Sequence, residues 1–150
     1  MIIRKVDKAI LEKEPYQLWN AFVDLLTTEE YDNLDEIQRI AYLAFWYDAE
    51  VNNGGHLQYF ENRGTSHLAD TINALKTLGA AAQAEILKEA GNLFLKKKRR
   101  PIKSVFAFVR AAKEGEFDEV DDKYYECEPS VQDLLEAYLE KNKDHFVEIV

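Results

Sequence analysis

The sequence is short of most residues that announce a chemistry. It has one cysteine, Cys127, so an internal disulfide is excluded. Cys127 lies between Glu126 and Glu128, and negative neighbours disfavour a thiolate, so it reads as a bystander. Histidine is scarce: His56, His67 and His145 form no His-Glu-x-x-His pattern and no metal-ligand spacing with the cysteine. There is no Gly-x-Ser-x-Gly elbow, phosphate loop or dinucleotide fingerprint. No catalytic residue, cofactor or metal is therefore expected. No window reaches the roughly 18 apolar residues of a spanning helix. No apolar stretch of signal-peptide length follows Met1, which makes the cytoplasm the expected location. Net positive charge is also lacking: 28 Asp and Glu face 19 Lys and Arg, a net charge of −9. That argues against direct nucleic-acid binding and against anionic membrane surfaces, since both need a basic footprint.

What is present is enough for a core. The 150 residues are 47% apolar and 12% aromatic, which suits one domain over 1–150 rather than a disordered acidic tail. Prolines number three and glycines six, and most sit where helices would start or stop. Tyr16, Leu18, Trp19, Phe22, Val23, Leu25 and Leu26 recur at helical spacing over 15–26. Asn33 with Glu36 has capping-box spacing and predicts a long helix to Val51. That helix is apolar nearly all round, so it belongs at the centre. Asn52-Asn53-Gly54-Gly55 should stop it. A short helix from His56 to Arg63 then ends at Gly64, and Thr65 or Ser66 caps one reaching Leu78 before Gly79. Residues 80–95 are helical in propensity, and Pro101 begins an amphipathic stretch to Lys113. Residues 114–128 read as irregular, and Pro129-Ser130 introduce a last helix over 131–148. No alternating strand pattern is evident. The expectation is an all-α fold of six to eight helices around a central apolar helix at 34–51.

Charge is segregated along the chain. Residues 1–95 carry −7, residues 96–113 carry +8 with no acid, and residues 114–150 carry −10. In the last block Asp133, Glu136, Glu140, Asp144 and Glu148 are spaced 3, 4, 4 and 4 apart. On one continuous helix they form a stripe roughly 22 Å long. Such a row is either a solvated face or a surface for a basic partner, and like charges at this spacing weaken the helix by a few tenths of a kcal/mol per pair. Duplex DNA carries about 13 charges over that length, so the stripe alone cannot imitate it. Glu114, Glu116, Asp118, Glu119, Asp121, Asp122, Glu126 and Glu128 supply eight more acids. Together these segments are the candidate partner-binding surface. Acids at 29–36 are better explained by a helix N-terminus. The 114–122 acids do not form a calcium loop, because Gly115 is misplaced for one. The run Lys96 to Arg100 resembles a nucleic-acid patch, but cations before Pro101 also suit a helix C-terminus or pairing with the acids that follow.

One stretch carries a resemblance. Ala49-Glu50-Val51-Asn52-Asn53-Gly54-Gly55-His56-Leu57-Gln58-Tyr59-Phe60-Glu61-Asn62-Arg63-Gly64, followed by Ala74-Leu75-Lys76-Thr77-Leu78-Gly79-Ala80, resembles the bacterial DNA-mimic-protein-19-like family. Residues 48–80 match closely. The matching positions are Glu50, Asn53, Gly54, Gly55, Gln58, Tyr59, Phe60, Asn62, Gly64 and Gly79. His56 departs from the pattern, where an apolar or aromatic residue is expected. The resemblance implies a compact all-α domain, some of whose members present DNA-like negative charge to DNA-binding proteins. The signature itself reads as structural: glycines for special backbone positions, asparagines for turns, aromatics for packing.

The leading expectation is a non-enzymatic acidic protein that binds a basic partner, in its sharper form a DNA mimic on the DNA-binding face of a transcription factor or nucleoid protein. An immunity or antitoxin-like protein would use the same acids. An enzyme with a pocket around Asp48, Glu50, His56 and Glu61 is a third class. The sequence does not decide between monomer and dimer.

Overall fold

The structure is a computed structural model that describes residues 1–150. It is all-α, with eight helices and one two-stranded sheet. The chain opens with β1 (Arg4–Val6), α1 (Lys8–Lys13) and α2 (Gln17–Thr28). A 3-10 turn at Tyr31–Asn33 leads into α3 (Glu36–Arg63). Then come α4 (Leu68–Leu78), α5 (Ala81–Leu95), α6 (Val105–Lys113), α7 (Asp118–Tyr125) and α8 (Val131–Lys141). A second 3-10 turn (Lys143–His145) and β2 (Val147–Ile149) close the chain.

α3 is the axis of the fold. Tyr47, Val51, Ala41 and Ala44 are fully buried on it, and α2, α4, α7 and α8 pack around it. Its start differs from the expected Asn33–Glu36 box. Asn33 is consumed by the 3-10 turn, and the capping box is Asp35 with Gln38. Gln38 is completely buried and does more than cap. Its Nε2 donates to the Ile2 carbonyl at 2.6 Å and to the His145 carbonyl at 2.7 Å, tying both chain ends to α3. The ends themselves join as a parallel ladder with Arg4 opposite Val147 and Val6 opposite Ile149. Strands of three residues each carry no readable alternation, which is why the sequence concealed them.

Two further expectations are corrected, while the break expected at Asn52–Gly55 falls where the sequence placed it, as a sharp kink between two helical halves. Gly54 (φ −151°) and Gly55 (φ +74°) leave helical geometry, and the helix resumes in a new direction to Gly64. Residues 114–128 are not irregular throughout, because α7 forms there with Val120 and Tyr124 buried. The last helix ends at Lys141 instead of 148. Phe146 is fully buried against the Phe22 ring at 4.8 Å, and Val147 enters the ladder; continuing the helix would forfeit both. Smaller shifts also occur. α6 begins at Val105 behind a Ser104 cap and not at Pro101, and neither Thr65 nor Ser66 caps α4, whose N-cap is His67. The αL cap at Gly79 and the Ser130 cap of α8 fall where the sequence placed them.

Candidate partner-binding surface

The early end of α8 breaks the acidic stripe. Asp133, Glu136 and Glu140 stay on the helix, Asp144 sits in the 3-10 turn, and Glu148 lies in β2. All five side chains are exposed. The helical part now spans eight residues, Asp133 to Glu140, about 10 Å, over which duplex DNA would carry about six charges. A basic partner would need the second acidic segment as well.

That segment divides in two. Glu114, Asp118, Asp122, Glu126 and Glu128 are exposed and have no cation within ion-pair distance. The other candidates there are engaged by the protein itself. Glu116 forms a bidentate pair with Arg99, which also donates to the Leu93 and Phe94 carbonyls at the end of α5. That hydrogen bonding holds the Glu116 carboxyl below its ordinary range. Lys97 lies 3.8 Å from the same carboxylate, so part of the basic block is neutralised locally, as one reading of it expected. Glu119 shares Lys123 with Glu89, both at 3.3 Å. On α8, Glu140 has Lys143 at 3.4 Å.

Asp121 turns inward to the kink. Its Oδ1 accepts from the His56 backbone N–H at 2.9 Å and from His56 Nδ1 at 2.7 Å. His56 N–H lies at the start of the resumed helix, where no preceding turn supplies an acceptor. Asp121 therefore caps half of α3 from another helix. A carboxylate only accepts, so Nδ1 carries the proton, and Nε2 shares a hydrogen bond of 2.7 Å with the Tyr47 hydroxyl. Burial pushes the Tyr47 phenol well up, which keeps it protonated. Tyr125 donates at 2.8 Å to the Val51 carbonyl, which in a straight helix would face the Gly55 N–H. Tyr124 donates to Asp48, whose carboxyl burial raises against the opposing hydrogen bonds from Tyr124 and Asn52. One short helix thus serves both broken ends of the central one.

The family signature acquires physical roles. A Cβ on Gly55 would overlap Asp121 Oδ2, and its positive φ also favours glycine. Asn53 Nδ2 donates to Gln58 Oε1 at 3.0 Å across the kink, and the same Gln58 covers Gly54. Tyr59 packs edge-on to Tyr47, and Phe60 stacks on Phe94 at 4.5 Å. Gly64 and Gly79 end their helices with φ of +66° and +96°. Glu50 is buried with Oε2 unpartnered, and Asn62 is exposed. Sequence reasoning missed Asp121, Tyr124, Tyr125 and Arg99 as structural residues, because nothing local in the sequence links them to the kink. The group imagined as an enzyme pocket is not assembled. His56 is sealed from solvent by Tyr47 and Asp121, while Asp48 bonds to Tyr124 and Asn52. No three His, Cys, Asp or Glu side chains cluster to hold a metal.

A family model described as DMP19-like protein matches residues 32–142, which spans α3 to α8. The chain belongs to the DMP19-like family. The matched span contains the whole kink and the helix that locks it. No curated protein and no solved structure matches the chain.

The basic block ends in α6, which has no buried residue. Val105 and Phe106 are about four-fifths exposed, and Lys103, Arg110 and Lys113 flank them. No helix of the structure is long and apolar enough to cross a membrane.

Proposed function

We propose that this DMP19-like protein is a non-enzymatic cytoplasmic binder of a basic protein, and that it occupies that partner's DNA-binding face. The carrying observation is the set of exposed acids without cations on α7 and α8, in the loops beside them, in the second 3-10 turn and on β2: Glu114, Asp118, Asp122, Glu126, Glu128, Asp133, Glu136, Asp144 and Glu148. α7 and α8 both pack on α3, so their acids are displayed from a common rigid support. Glu116 and Asp121 leave the proposed surface, since the fold uses them. Glu119 and Glu140 stay at its margin, each with one lysine. Clustered like charge speeds encounter with a basic partner and makes association steeply salt-dependent.

The test replaces Asp122, Asp133 and Glu136 by Asn, Asn and Gln. Capture of DNA-binding proteins at low salt should fall at least tenfold, with an unchanged circular dichroism spectrum. Undiminished capture would sink the role of this surface. Capture of a basic protein that binds no DNA would replace the mimic by a toxin-neutralising reading.

A further inference from the structure

A cavity of about 180 Å3 opens between α3, the 3-10 turn before it and the start of α4, away from α7 and the candidate acids. Its walls include Tyr31, Tyr42, Trp46, Tyr59, His67 and Arg63. The Trp46 indole is held in place by donating Nε1–H to the Leu26 carbonyl at 3.0 Å. Tyr31 and His67 rings lie 4.4 Å apart, and Tyr31 and Tyr42 rings 5.5 Å apart. The walls are thus aromatic and mutually braced before any ligand arrives.

Arg63 is the unusual member. Its guanidinium lies over the Trp46 ring at 3.7 Å. No carboxylate comes within ion-pair distance of it, although the chain carries nine more acids than bases. Its Nε is buried and has no hydrogen-bond partner. An arginine presents five donors in a planar fork matched to carboxylate oxygens, and a desolvated donor left unmade is costly. A guanidinium in this state lacks an anion. Two acids of this region do not supply one: Asp70 sits beside His67 at 3.7 Å, and Glu50, whose charge is felt at Tyr59, does not line the cavity.

We infer that this cavity binds a small single-ring aromatic carboxylate, its ring among Tyr31, Tyr42, Trp46 and Tyr59 and its carboxylate on Arg63. Size decides the ring number. Apolar cavities of about 150 Å3 accept benzene, so the walled part of this one holds a single ring. Charge decides the headgroup, because Arg63 already covers the face of Trp46 that a cationic ligand would use. The site is independent of the acidic surface, and each can fail without the other.

The experiment titrates benzoate, benzyl alcohol and benzylamine into the full chain, following the Trp46 indole N–H by NMR and heat by calorimetry. Benzoate should saturate, and both other probes should bind at least tenfold more weakly. Arg63→Gln should lower benzoate affinity at least tenfold with the spectrum of the fold intact. Since Arg63 ends α3, Tyr42→Ala provides a second variant at the rim and should weaken benzoate as well. Equal binding of benzoate and benzyl alcohol, a preference for benzylamine, or no saturable binding would each overturn the assignment.

Discussion

Asp121 shows how one side chain can be lost to a surface and gained by a fold. Its carboxylate caps the resumed half of α3 and orients His56 toward Tyr47. Asp121→Ala removes a cap worth about 1–2 kcal/mol and leaves a buried imidazole donor unmade at about 1–3 kcal/mol. Urea denaturation should show a loss of at least 2 kcal/mol, and an unshifted midpoint would refute the lock. Gly55→Ala places a methyl on the same carboxylate at positive φ, so it should cost about 1–3 kcal/mol in the same measurement. Glu116 makes a pH prediction. Its folded carboxyl is lowered by Arg99, so its contribution is complete above its unfolded value of about 4.5 and is lost as pH falls through the lower folded value. Glu116→Gln should therefore destabilise the protein at pH 7 and flatten the acid limb of its stability curve. A parallel loss at every pH would contradict this.

The elements differ in how plainly the sequence encodes them. α2, α4 and α5 repeat apolar residues over three turns or more, and their boundaries fall within two or three residues of the expected ones. α7 was illegible because only Val120 and Tyr124 anchor its eight residues. The end of α8 was misleading for a physical reason. Phe146 and Ile149 keep helical spacing in the sequence, but the fold draws Phe146 into the core and Val147 into a ladder with the N-terminus. Local pattern carries no record of a partner some 140 residues away. α6 lies at the other extreme: its period is clear, yet it buries no residue fully and only Phe108 and Ala111 rest against the core. Its amides should exchange fastest among the helices, and Ser104→Ala should speed them further without moving the global midpoint. Exchange of α6 at the rate of α3 would show that α6 is packed more tightly than its exposure implies.

At the scale of the molecule, the net charge of −9 resolves into three kinds of acid. Some close the fold, as Asp121 and Glu116 do. Others share a lysine, as Glu119 and Glu140 do. Within residues 114–150 the remainder face solvent without a cation, and those are the residues the proposed function depends on. The sequence located all of them by position but not by kind, because engagement depends on what the fold brings opposite. The basic block is likewise divided. Arg99 and Lys97 are turned to Glu116, while Lys103, Arg110 and Lys113 stay with α6. A partner's cations would meet the acids of α7 and α8 and avoid α6, which gives the docking a direction. Competition is the most direct test of this account. A DNA-binding protein captured by the chain at low salt is challenged with its own duplex. The account predicts mutually exclusive binding, with duplex releasing the chain stoichiometrically and the Asp122, Asp133 and Glu136 variant releasing at lower duplex. A ternary complex of chain, partner and DNA would contradict it.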